Sequence, residues 1–67
     1  MTVARVTRLT ASSSTSWQDA VQEATNRANK TLRGLTGLEI VNQKAKIVDG
    51  KITEFRVTID VTFILES

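Results

Sequence analysis

The chain has 67 residues, with nine Lys+Arg against seven Asp+Glu and neither Cys nor His. One small domain spanning 1–67 fits that length, and its core is marginal unless a disulfide, a metal or self-association supports it. Without Cys or His there is no disulfide, no tetrahedral zinc site and no imidazole-activated nucleophile, so an enzyme is not expected, and a net charge of +2 is too small and dispersed for a nucleic-acid footprint.

No apolar run approaches about 18 residues, and no basic stretch leads into an apolar one at the N-terminus, so neither a membrane span nor a signal peptide is expected. The expected location is the cytoplasm. A hydrophobic fraction of 40 %, with Pro 0 and Gly 3, predicts a chain made mostly of regular structure.

Residues Thr2 to Thr10 are rich in Val, Thr and Leu and predict a first strand. The tract from Ala11 to Ser16 is nearly all Ser and Thr, which favour turns and helix N-caps, and Ser16 stands three residues before Asp19 as in a capping box. From Trp17 the apolar residues Trp17, Ala20, Val21, Ala24, Ala28 and Leu32 form one stripe of a helix, predicted to run to Arg33 and to end at Gly34. Asp19 and Glu23 near its start and Arg27, Lys30 and Arg33 near its end match the helix dipole.

Leu38 to Val48 and Ile52 to Leu65 read as two strands of a hairpin turning at Asp49-Gly50. In the second, every odd position from Phe55 to Leu65 is apolar and the even positions Glu54 to Thr62 are polar, the pattern of a strand with one buried face. In the first, Leu38 and Ile40 fall out of phase with Val41, Ala45 and Ile47, which predicts a bulge near Ile40. Pairing Ala45 with Phe55 and Ile47 with Thr53 places apolar on apolar, Lys46 opposite Glu54 and Lys44 opposite Arg56. The fold class is α+β: a β-α-β-β subunit with a three-stranded antiparallel sheet wrapped around one helix. The strands overrun a helix of about 26 Å, so apolar sheet is left over and self-association is expected.

These features resemble the dodecin family over essentially the whole chain. The resemblance rests on Val3-Ala4-Arg5-Val6, the Ser/Thr-rich turn, the alanine-rich helix with Arg27-Ala28 and Thr31-Leu32-Arg33, and the close on Val61-Thr62-Phe63-Ile64-Leu65-Glu66. It implies a hollow homododecamer that binds or stores small ligands, flavins in the flavin-binding members, without catalysis. Those members stack the flavin on a Trp and hydrogen-bond its polar edge with a Gln. Here Gly37 holds the Trp position and Arg56 the Gln position, so the resemblance implies weakened or absent flavin binding and is similar to the Trp-less, calcium-type dodecins.

The residues themselves leave the ligand open between a flavin, another small anion and a Ca or Mg ion. Lys44, Lys46 and Arg56 form a basic cluster able to hold phosphate or another anion, or else a solvated or intersubunit salt-bridged face partly neutralised by Glu54. Glu39, Asp60 and Glu66 are candidate cation ligands near a symmetry axis, or scattered surface carboxylates. Trp17 reads as a packing residue of the helix stripe rather than a stacking platform, and Ser12 to Ser14 as capping residues.

Overall fold

The computed structural model describes residues 3–65. It comprises β1 (Val3–Ser13), α1 (Trp17–Thr31), β2 (Leu35–Val48) and β3 (Lys51–Leu65). Both β2 and β1 pair antiparallel with β3, giving the sheet order β1-β3-β2 with the alternating strand at the centre. The β-α-β-β topology and the antiparallel sheet are those expected from the sequence. No helix among the described residues is long and apolar enough to cross a membrane.

α1 begins where the Ser/Thr tract places it. The Ser16 hydroxyl accepts the N–H of Asp19 at 3.0 Å, the forward half of a capping box. The return half differs: the Asp19 carboxylate accepts from Ser13 Oγ at 2.7 Å, and Ser13 Oγ in turn accepts the N–H of Thr15 at 2.9 Å. The end also differs, for the helix stops at Thr31, with Leu32 already extended at φ −114°. Gly34 lies beyond the cap at φ +73°, where its carbonyl accepts the N–H of Ile64 at 3.1 Å and an added Cβ would come within 3.3 Å of Ile64 O. The glycine is there for a left-handed turn against β3, not to cap the helix.

β1 runs three residues past the expected Thr10, because Ala11, Ser12 and Ser13 find partners in Val57, Arg56 and Phe55. β2 starts at Leu35 rather than Leu38 for the same reason.

The hairpin turns on Asp49 and Gly50 at φ 52° and 76°, the two positive values a two-residue type I′ turn requires. That turn forces Ile47 opposite Ile52, whereas the pattern further along needs Lys46 opposite Glu54 and Ala45 opposite Phe55. Thr53 is the extra residue that reconciles the two, so the expected Ile47–Thr53 pair is replaced by a bulge. A second irregularity lies between Ile40 and Asn42, as expected, and leaves Val41 out of register, so Leu38 and Ile40 share a face with Val61 and Ile59.

Ala20, Ala24 and Ala28 press against Val57, Ile59 and Val61, all buried, with Leu9, Ala11, Trp17, Val21, Leu32 and Leu35 packed around them. Alanines at this four-residue spacing bring the helix axis close to the sheet. Phe63 completes the row, while Phe55 is half-buried and Leu65 exposed, so the buried part of the β3 alternation is shorter than its sequence pattern. The subunit measures 52 × 19 × 13 Å, and a helix of 15 residues reaches only about 22 Å. α1 lies over β1 and β3 and leaves Leu38, Ile40 and Val41 of β2 between 39 % and 46 % exposed.

Candidate functional site

The even residues of β3 and their partners make a polar face organised in cross-strand rows. Nearest the hairpin, Lys46 faces Glu54. Next, Ser12, Arg56 and Lys44 stand in register across all three strands. The charged residues of these two rows, with Ala45, line a hollow of about 380 Å³. Arg56 Nη2 donates to Glu54 Oε1 at 2.8 Å. That hydrogen bond, opposed by desolvation and aided by the charges of Arg56 and Lys46, holds the Glu54 carboxyl below the ordinary range. The structure thus brings Lys44, Lys46 and Arg56 together as the sequence pattern required.

Further along, Thr10 and Thr58 share a 3.1 Å hydrogen bond, and beyond them Arg8, Asp60 and Glu39 form another row. Arg8 grips Asp60 with both arms, Nε to Oδ1 at 2.8 Å and Nη2 to Oδ2 at 3.1 Å. The Arg8 hydrogen bonds, against desolvation, hold the Asp60 carboxyl below its usual range. Glu39 and Asp60 therefore do come together, but both Asp60 oxygens are already bonded to Arg8. Among the described residues no group of three His, Cys, Asp or Glu is placed to hold a metal ion, and Glu66 lies outside those residues. Arg8 was missed in the sequence; its signal is a single charge on the polar phase of β1, matched by the Asp60 charge on the polar phase of β3.

Gly37 stands opposite Thr62, and an added Cβ there meets nothing within 4 Å. The position has room for a large side chain and offers no aromatic surface. Thr62 lies six positions along β3 from Arg56, about 20 Å, so Gly37 and Arg56 do not line one cavity within a subunit. Trp17 is a packing residue: its ring meets Phe55 edge-on at 4.9 Å and its indole N–H donates to Lys44 O at 2.9 Å.

The Dodecin family model matches residues 3–66. The chain belongs to the dodecin family. A point variant of the dodecin of Thermus thermophilus is 31 % identical over 100 % of both chains, with a TM-score of 0.93. The dodecin of Streptomyces coelicolor is 32 % identical over 98 % of this chain and 94 % of its own, with a TM-score of 0.91. A calcium dodecin of Mycobacterium tuberculosis, described as a calcium-chelating immunodominant antigen with a novel calcium-binding site, is 28 % identical over 96 % and 91 %, with a TM-score of 0.81. No curated protein matches by sequence.

Proposed function

We propose that this dodecin is a non-enzymatic small-ligand binding and storage protein of the cytoplasm, working as a hollow homododecamer with weakened flavin affinity. The observation that carries the reading is the apolar surface of β2. Leu38 and Ile40 continue the buried face of Val61 and Ile59 past the edge of the helix and lie open to solvent in the single subunit. A chain of 67 residues without disulfides gains its missing burial by covering that surface with further copies. Weak flavin affinity follows from Gly37, which has no ring to stack on, and from Arg56, a donor-only cation in place of a neutral donor and acceptor.

Light scattering tests the assembly: the expected particle is about 89 kDa, twelve times 7.4 kDa, and a stable monomer refutes it. A second reading, a divalent-cation cage, draws on the likeness to the calcium dodecin. It requires carboxylates gathered from several subunits, since Asp60 is engaged by Arg8. A rise in melting temperature with added Ca²⁺ or Mg²⁺ supports it; no rise removes it.

A further inference from the structure

β1 and β2 are the two margins of the sheet, but only β1 keeps an uninterrupted ladder: it pairs with β3 residue for residue from Val3 to Ser13, whereas the pairing of β2 shifts at three places. Bulges, prolines and short length are devices that stop a free edge from accepting another strand, and the 11 residues of β1 show none of them. Its outer margin is a straight row of backbone N–H and C=O groups. Between that margin and α1 runs a groove of about 550 Å³, bounded by Leu9 to Ser12 on the strand and by Glu23, Ala24 and Arg27 on the helix. Ala24 is buried and small, while Glu23 and Arg27 are exposed on either side of it. Although they stand one helical turn apart, neither forms an ion pair among the described residues.

We infer that this groove docks an extended segment of a different protein, added antiparallel to β1 as a fourth strand, in which a Lys or Arg stands two residues before an Asp or Glu. The strand margin supplies backbone hydrogen bonds, and the helix selects the side chains. A short connection carries the chain from the end of β1 into α1, which packs back over β1 and β3, so the helix runs opposite to β1 and in the same direction as the added strand. Such a strand meets Glu23 first and Arg27 second, hence cation before anion. Residues four apart on a helix rise about 6 Å, and residues two apart on a strand lie about 6.7 Å apart on one face, so the pair reaches both helix charges at once. The chain's own edge strands do not fit this pattern. Neither β1 nor β2 carries opposite charges two residues apart; Glu54 and Arg56 do, but in the reverse order and in the central strand, which is paired on both sides. The occupant is therefore a partner protein rather than a second copy.

The test uses the full chain and two end-blocked, fluorescein-labelled peptides of identical composition, Val-Thr-Lys-Thr-Glu-Thr-Val and Val-Thr-Glu-Thr-Lys-Thr-Val, titrated by fluorescence anisotropy. The first is expected to bind at least about tenfold more tightly than the second, and less tightly as NaCl is raised. Glu23→Lys together with Arg27→Glu, two exposed positions in the middle of the helix, should reverse the preference. Amide hydrogen exchange over Leu9 to Ser12 should slow when the first peptide is added to wild type, as strand addition demands. Wild type that binds neither peptide, or both equally, overturns the docking site, whether because a second copy covers the margin of β1 or because the groove does not select. Binding without slower exchange overturns it as well, since the peptide is then held by charge alone. A double variant that keeps the wild-type preference does the same. If circular dichroism shows that variant unfolded, Glu23→Gln and Arg27→Gln replace it, and a preference that survives in both overturns the site.

Discussion

The indole N–H of Trp17, the first residue of the helix, donates to the backbone carbonyl of Lys44 on the far edge strand, 2.9 Å away and 27 residues along the chain. With its edge-on contact to Phe55, this ties the helix start to both strands of the hairpin. Trp17→Phe keeps an aromatic ring beside Phe55 and removes the donor. We expect a loss of about 1 kcal/mol, read as a melting temperature lower by roughly 4–8 °C in circular dichroism if the subunit melts as one unit. An unchanged melting temperature would mean that water replaces the indole at no cost.

Two aspartate substitutions should separate folding from assembly. Val57 is fully buried beneath its own helix, so Val57→Asp places an unpaired charge in the core and should unfold the chain at a cost of several kcal/mol. Ile40 is 46 % exposed on the uncovered extension of the same face, so Ile40→Asp should leave a folded subunit that no longer assembles. Circular dichroism and light scattering on each variant check this. A fully assembled Ile40→Asp protein would show that copies meet elsewhere.

The Arg8–Asp60 pair sets a direction for acid stability. Asp60 has its pKa depressed in the folded state, first by the Arg8 hydrogen bonds, so the pair stabilises fully above the unfolded aspartate value of about 3.9 and its contribution is lost as pH falls through the lower folded value. Melting temperature should therefore decline below about pH 5, and Asp60→Asn should flatten the decline while lowering the plateau above it. Equal slopes for the two proteins would mean that other carboxylates, Glu54 first among them, carry the acid sensitivity.

Gly37 has open space where a side chain would go, so Gly37→Trp should be accepted by the fold. Together with Arg56→Gln it should restore flavin fluorescence quenching and tighten binding by at least about tenfold, or about 1.4 kcal/mol. Because the two positions lie about 20 Å apart in one subunit, each single variant should give part of the gain on its own. Sub-micromolar flavin binding by the wild type would show that neither residue is the determinant.

Helix, hairpin turn and central strand were legible in the chain because each depends on neighbours close in sequence. The Trp17-to-Leu32 stripe follows the helical turn, Asp49-Gly50 supplies both positive φ values, and the β3 alternation follows the pleat. So was the meeting of Lys44, Lys46 and Arg56, since a tight hairpin converts sequence distance into register. The strand ends were not: the Ser/Thr tract reads locally as a turn, and only the partners offered by β3 hold Ser12, Ser13 and Gly37 extended. The Arg8–Asp60 grip, 52 residues apart, and the pairing of β1 beside β3 rather than β2 arise from the way α1 carries the chain across the sheet. No local pattern encodes that placement, because it is decided by where the alanine face of the helix finds apolar surface to cover.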